Sequence, residues 1–418
     1  MRQTCVIGGV SVAVMLGILG GSARAGAPQY TIVEIGAVAG HSGSQGLRVS
    51  TNGQYATGRS LGAPGSLAIS WTAPGTFAPL PNLASPVRNF GVGNSVNDTG
   101  VFVGTGSATA FGSNPLPIIW TGGAVAQLPL PAAQTLGRAN DINNAGVVVG
   151  SVNGGGLEAP LVFTGGAGGT ATIITTLGPG GTRMTTAFSI NNSNVCVGNG
   201  VDPNNAARNV GMVYDINANT MIEVGALPGL NGALAFDISN AGHVVGSTML
   251  NQGSGVPYIW TAGGGMVAIP LPAGTSQAGA RGVNSSGWVV GTGSSAFAIP
   301  YVYDGTTTYR LADVIPPGTG WDLSTNTSSS ALSISDTGVI VGSGVFNGNV
   351  RAYAMIPVPP PCVGDINNDG QRNTTDLTLL LGTFGQTVPP GTLGDLDGNG
   401  SVTTADLVLF LSVFGVPC

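Results

Sequence analysis

The stretch from Asp141 to Val152, DINNAGVVVGSV, decides how the rest of the chain is read. The same phrase returns as SVNDTGVFVGTG from Ser95, SINNSNVCVGNG from Ser189, DISNAGHVVGST from Asp237, GVNSSGWVVGTG from Gly282 and SISDTGVIVGSG from Ser333. A degraded seventh copy, RVSTNGQYATGR, starts at Arg48. With Gly53, Gly100, Gly146, Asn194, Gly242, Gly287 and Gly338 as equivalent positions, successive copies are 47, 46, 48, 48, 45 and 51 residues apart. A regular period slightly above about 40 residues, built from strand-forming residues, predicts propeller blades rather than a helical solenoid.

Each repeat divides into four short strands. Around Ile142 apolar and polar residues alternate, residues 143–146 form a hairpin turn in which Gly146 supplies a positive φ, and Val147 to Val149 begin the second strand. A third strand carries an apolar pair and an aromatic, as in Ile118-Ile119-Trp120, Leu161-Val162-Phe163 and Tyr258-Ile259-Trp260. The fourth precedes a Pro- or Gly-rich loop, as in Met221 to Val224. Four strands per repeat and seven repeats predict an all-β, seven-bladed propeller over residues 26–356. The last repeat stops at its third strand, Ala352 to Ile356, and Tyr30 to Gly36 has the pattern of the missing fourth, so the chain start is expected to close the ring.

The phrase x-INN-x-G-x-VVG, followed about ten residues later by an apolar-apolar-aromatic strand and a Gly-rich turn, resembles the HAF family of bacterial extracellular repeats over roughly Tyr30 to Ile356. The family's His-Ala-Phe tripeptide is replaced by Ala-Pro-Leu at 159, Val-Pro-Tyr at 256 and Ile-Pro-Tyr at 299. The resemblance implies an exported repeat domain and no particular reaction.

Composition excludes several classes of function. Only 7% of residues are charged and 71 of 418 are Gly, which disfavours long helices with charged faces. All 12 basic residues are Arg, and the net charge of -6 offers no footprint for a nucleic-acid partner. Residues 1–25 read as a secretory signal peptide: Arg2, an apolar run from Val6 to Leu19, then Ala23-Arg24-Ala25 as the cleavage site. The run is shorter than the roughly 20 residues a membrane span needs, so the mature chain is expected to carry no transmembrane span and to be secreted or cell-surface-associated.

A proline-rich linker, residues 357–361, precedes a second module, residues 362–418. GDINNDGQRNTTDL from Gly364 and GDLDGNGSVTTADL from Gly394 share one template of acids or amides at alternate positions, Gly at loop position 6 and Asp at position 12. Oxygen ligands so spaced let a tightly curved loop wrap a hard cation. Asp365, Asn367, Asp369, Gln371, Asn373 and Asp376 make one predicted calcium site, and Asp395, Asp397, Asn399, Ser401, Thr403 and Asp406 the other. All six carboxylates between Cys362 and Cys418 fall on these loops, three in each. An amphipathic helix is predicted after each loop, through Leu377, Leu380, Leu381 and Phe384 and through Leu407, Leu411 and Phe414, with Gly385 and Gly415 as stops.

Paired loops ending in Thr-Thr-Asp-Leu and Thr-Ala-Asp-Leu resemble a type I dockerin across this whole module. The resemblance implies two calcium ions, a pseudo-twofold pair of loop-helix units and a cohesin-like partner, with Thr374, Thr375, Thr404 and Ala405 at the contact positions. The basic residues that many dockerins carry farther along each helix are absent, Leu381-Gly382 and Leu411-Ser412 standing there instead. Cys362 and Cys418 bracket the module, a placement that predicts a disulfide in an exported protein. Cys196 sits in a second strand and reads as a buried, inert thiol, while His41 and His243 occupy non-equivalent positions without an acidic neighbour at catalytic spacing.

Two functions compete. The first is an exported, non-enzymatic binding or structural propeller with a glycan or protein ligand, attached through its dockerin-like tail. The second is a carbohydrate-active enzyme, a polysaccharide hydrolase or lyase of a dockerin-bearing system. A glycosidase needs two carboxylates about 5 to 9.5 Å apart, and Asp141 and Asp237 on first strands are the candidates. Their register also holds Ser95, Ser189, Gly282 and Ser333, which favours backbone hydrogen bonding at the ring's centre. The row Trp71, Trp120, Phe163, Tyr214, Trp260 and Tyr303, one per blade, reads as packing between blades, which leaves Trp288 and Trp321 as candidates for a surface contact.

Overall fold

Each copy of the repeated phrase folds as a hairpin held by the asparagine or serine that opens its turn. In the third copy Gly146 donates its N–H to the Asn143 carbonyl, and the Asn143 Oδ1 accepts from the N–H groups of Ala145 and Val147 at 3.1 and 3.0 Å. The residue that ends the turn has φ near +79° at Gly146 and +62° at Asn194, a region that Gly and Asn tolerate best. Side chain and backbone therefore agree on the turn before any packing is considered.

The computed structural model describes residues 27–110, 112–154, 157–250, 255–359 and 362–416; the predicted signal peptide lies outside them. Six sheets have four antiparallel strands each, with innermost strands Gly43–Val49, Phe90–Val96, Gly137–Ile142, Arg183–Ile190, Gly232–Ile238 and Gln277–Val283 (blades 1 to 6). Blade 7 comprises Ser330–Ile334, Ile340–Phe346 and Asn349–Val358, closed by Gln29–Glu34, with Trp321–Asp322 as an additional short strand. The fold is thus a seven-bladed β-propeller.

Closure is made by the two ends of the repeat region. Thr31 lies opposite Ile356 and Glu34 opposite Tyr353, while the Glu34 carboxylate meets Arg351 at 2.9 Å. The third strand runs on to Val358, so Pro357, expected in the linker, is paired with Tyr30; proline is tolerated where its missing N–H is not needed by the ladder. Seven apolar clusters fill the seven gaps between neighbouring blades. The closing one joins Val339, Val341, Ala352 and Ala354 of blade 7 to Val49, Ala56, Ile69 and Trp71 of blade 1, with Ile35 added from the chain start.

One bulge recurs in every innermost strand. The ladder slips between Gly46 and Arg48, Gly93 and Ser95, Ala139 and Asp141, Ala187 and Ser189, Ala235 and Asp237, Ala280 and Gly282, and Ala331 and Ser333. Across from it stands the glycine that ends each VVG triplet. A Cβ at Gly58, Gly104, Gly150, Gly198, Gly246, Gly291 or Gly342 would come within 1.8–2.1 Å of an innermost-strand carbonyl oxygen, so no larger residue fits there.

The C-terminal module contains helices α1 (Thr374–Gly382) and α2 (Thr404–Val413) around a small core of Leu380, Val388, Val402 and Phe410. Its halves cross-link symmetrically: Gly385 N–H donates to the Val402 carbonyl and Gly415 N–H to that of Arg372, both at 2.8 Å. The predicted helix stripes need correction. Leu380 and Phe410 are buried and Leu377 and Leu407 half-buried, but Leu381, Phe384, Leu411 and Phe414 are exposed, because helices of nine and ten residues place one full knob each in a core this small. No helix among the described residues is long and apolar enough to cross a membrane.

Two stability outcomes follow from this architecture. Tyr30→Ala should cost about 3 kcal/mol in urea unfolding of the ring, since Tyr30 is fully buried in the closing strand, and deletion of residues 27–36 should destabilise all seven blades cooperatively. Gly150→Ala should cost about 3 kcal/mol through overpacking, whereas Gly146→Ala, with open space around its Cβ but a positive φ, should cost about 1 kcal/mol. Equal penalties at the two glycines would contradict the steric assignment.

Candidate functional site

The bulge fixes what faces the channel. It turns Arg48, Ser95, Asp141, Ser189, Asp237, Gly282 and Ser333 to the centre of the ring, one from each blade, as bulges elsewhere re-aim a side chain. Arg48 spans the channel: Nη1 lies 2.7 Å from Asp237 Oδ1, and Nη2 lies 3.2 Å from Asp141 Oδ2 and 3.0 Å from Ser189 Oγ. Ser189 Oγ stands 2.7 Å from a carboxylate oxygen of both aspartates. Asp141 also accepts from the Ser95 hydroxyl at 2.5 Å and from the N–H groups of Ile142 and Ile190 at 3.0 and 2.8 Å. Asp237 Oδ2 accepts from Val283 N–H at 2.9 Å.

Electrostatics follow from burial. Desolvation pushes the Asp237 carboxyl above the usual range and the Asp141 charge adds to this, against the pull of Arg48, the Ser189 hydroxyl and Val283 N–H. Desolvation opposes the Arg48 charge, yet Asp141 and Asp237 together raise its affinity for its proton. Ser189 has one hydroxyl proton for the two carboxylates it touches. The two aspartates proposed as a catalytic pair are brought together, but Arg48 and Ser189 occupy the space between them where a scissile bond would lie. Sequence reasoning missed Arg48, although its position in the degraded copy placed it in the same column as both aspartates.

Two cavities flank this centre. On the turn side a small one, about 40 Å³, is lined by Asn97, Asn143, Asn144, Asn192 and Asn240. On the other side a cavity of about 470 Å³ is lined by Leu47, Asn94, Asn140, Phe188, Phe236, Arg281 and Leu332. These seven are the bulged residues themselves, one per blade. Sequence periodicity hid them, because strict alternation turns the neighbour of a channel residue away from the channel and the bulge cancels that rule.

The other singled-out side chains are structural. Trp71, Trp120, Phe163, Tyr214 and Trp260 are buried and Tyr303 half-buried, all within the inter-blade clusters. Trp288 and Trp321, expected as surface contacts, are half-buried against the cluster between blades 6 and 7, and Trp321 stacks on Phe346 with centroids 4.8 Å apart. Cys196 is fully buried between blades 3 and 4, where desolvation pushes its thiol up to about 12. The His243 ring reaches Ser239 Oγ at 3.3 Å.

In the second module, two acidic triads could hold a metal ion: Asp365, Asp369 and Asp376, and Asp395, Asp397 and Asp406, with carboxylate oxygens within 4.8 Å of one another in each. Asp376 and Asp406 are buried and close capping boxes with Asn373 and Thr403, which accept from Thr375 and Ala405 N–H at 2.7 and 3.2 Å. Desolvation raises both carboxyls, but the hydrogen bonds they accept from backbone N–H groups together hold them below the usual range. Asn367 and Asn399 lie within the loops beside Asp369 and Asp397, and Gln371 and Ser401 continue them. Thr374, Thr375, Thr404 and Ala405 are exposed in the first turns of α1 and α2. Cys418 lies outside the described residues.

No family model matches the chain, and no curated protein matches it either. Among solved structures it is similar to a streptogramin B lyase at 13% identity, covering 78% of this chain and 98% of that one with a TM-score of 0.49. An oligogalacturonate lyase in complex with manganese is similar at 13% identity, 79% and 97% coverage and a TM-score of 0.47. The β-propeller domain of the Trilobed protease from Pyrococcus furiosus is similar at 7% identity, 79% and 97% coverage and a TM-score of 0.44. At such values no site residue carries over to this chain.

The channel centre makes a sharp prediction. Arg48→Met should destabilise the propeller by about 3–5 kcal/mol at neutral pH, because it strands two buried carboxylates, and adding Asp141→Asn and Asp237→Asn should recover much of the loss. The sign with pH follows from Asp237. Its folded-state pKa is raised, so its contribution to stability is fullest below the unfolded value near about 4 and is lost as pH rises through the folded one. Without Arg48 that pKa rises further, and the deficit of the variant in thermal melts should shrink from pH 7 toward pH 4. A deficit independent of pH would overturn the assignment.

Proposed function

We propose that this chain is an exported, non-catalytic binding propeller, displayed through a calcium-dependent, dockerin-like attachment module. The observation that carries the first half is the closed centre. Asp141 accepts from Arg48, Ser95, Ser189 and two backbone N–H groups, so its oxygens hold the ring together and are not free to move a substrate proton. What faces solvent instead is the mouth lined by the seven bulged residues, a concave surface of ligand-binding size.

The second half rests on the loops. Each triad offers oxygen donors only, three carboxylates and an amide per loop, the set a hard divalent cation takes. Two calcium ions, one per loop, would offset the repulsion that the triads otherwise carry. Leu379 with Leu409 and Leu381 with Leu411 are exposed at matching positions of the two helices, and with Thr374, Thr375, Thr404 and Ala405 they are the residues assigned to a cohesin-like partner. A Cys362–Cys418 disulfide would tie the ends of a module whose core is small.

Calorimetry on the full chain should find two calcium sites, with Asp376→Ala and Asp406→Ala each removing one. Calcium should raise the melting transition of the module, by RT ln(1 + [L]/Kd) per site, and leave that of the ring unmoved. Absence of calcium binding in both oxidised and reduced protein would refute the attachment reading. Hydrolysis or lysis of a polysaccharide panel that is lost in Asp141→Asn and Asp237→Asn would refute the non-catalytic one.

A further inference from the structure

The mouth above the bulged strands differs from the rest of the repeat in having no repeat. The channel column is confined to Ser, Asp and Gly with one Arg, and the turn column to Asn and Ser. The bulge column holds Leu47, Asn94, Asn140, Phe188, Phe236, Arg281 and Leu332, and its chemistry is polarised around the ring. Phe188 and Phe236 lie side by side with centroids 6.0 Å apart, and the Arg281 guanidinium sits 4.1 Å above the Phe236 ring. A second recess of about 250 Å³, between blades 5 and 6, shares Phe236 and Arg281 with the central cavity. Phe236 and Arg281 therefore line both hollows, a shape for an elongated ligand.

Charge selects the ligand. Among the described residues no carboxylate pairs with Arg281, whereas Arg48 on the floor is matched by Asp141 and Asp237. The mouth thus presents an uncompensated cation on a chain of net charge -6. Asn94 and Asn140 spend their Nδ2 groups on the Ala139 and Ala187 carbonyls of the next blade, both at 2.8 Å, which aims rigid amides at the rim with their Oδ1 atoms left to accept from hydroxyls. Flat apolar faces, hydroxyl acceptors and one forked cation together match a hydroxylated ring that bears a carboxylate.

We infer that this mouth binds an acidic oligosaccharide, with a uronate carboxylate on Arg281 and sugar faces against Phe236 and Phe188; the inference rests on the binding-propeller reading above. The test is calorimetry on the full chain, at one fixed calcium concentration, with hexamers of galacturonate, mannuronate and guluronate, and with cellohexaose and hexaglutamate as comparators. At least one uronate hexamer should bind, and Arg281→Gln should weaken it roughly tenfold or more while the ring still melts as one cooperative transition. Phe236→Ala should weaken it as well, and cellohexaose should not bind. Failure of all three uronates, or binding indifferent to Arg281→Gln, overturns the inference. Binding of cellohexaose or hexaglutamate instead, sensitive to Phe236→Ala, overturns the ligand class while leaving the binding propeller standing. New reducing ends or unsaturated products from a uronate would overturn the non-catalytic reading itself.

Discussion

The bulge in each innermost strand, with the glycine across from it, is the constraint on which the rest of this propeller depends. An ordinary strand shows one residue in two to the channel. Here the slipped ladder gives each blade two consecutive residues with a view of the axis, one at the centre and one at the mouth. That geometry brings a carbonyl within 1.8–2.1 Å of where a Cβ would stand on the second strand, and only glycine survives there. The invariance of the VVG glycine within the repeat is thus the sequence trace of a feature located on a different strand.

The hairpin turns supply a second ring of bonds, stacked on the first. Asn97, Asn143, Asn191 and Asn284 each donate Nδ2 to a turn carbonyl of the next blade, at 3.1–3.2 Å. One residue along, Asp98, Asn144, Asn192, Asn240 and Asp336 accept from a turn N–H of the preceding blade at 2.8–3.0 Å. At the seam Asp336 N–H reaches the Thr51 carbonyl. The INN element therefore does two jobs: its first amide shapes the turn and reaches forward, and its second accepts from behind. The second position needs only an acceptor, which is why Asp98 and Asp336 stand there in two copies where Asn stands in others.

Much of this was legible and the remainder was not, for physical reasons attached to particular residues. Blade number, strand identity and closure by the chain start follow from a period that seven copies of one phrase reveal. The aspartates' role in the ring's hydrogen bonding could be read from their interchange with serine. Arg48 stood in the same column but in the most degraded copy, where a match to the phrase is weakest, so the charge that answers both aspartates was overlooked. The mouth was invisible because a bulge inverts the alternation from which facing is inferred. The helix stripes misled in the opposite sense: Leu381 and Leu411 have helical spacing, yet a core of Leu380, Val388, Val402 and Phe410 leaves no room for them.

Charge is distributed between the two parts of the chain in a way that separates their responses. Only 7% of residues are charged, and the ring joins its blades with apolar clusters, turn amides and the turn carboxylates of Asp98 and Asp336, with one buried charged group, Arg48, Asp141 and Asp237, at the centre. Buried pairs are screened little by salt, so ionic strength has small purchase on the ring. The C-terminal module concentrates six carboxylates in two short loops, where their mutual repulsion is largest and a divalent ion changes it most. A divalent cation taken up by these triads would act on the module's loops and leave the ring's apolar seams untouched.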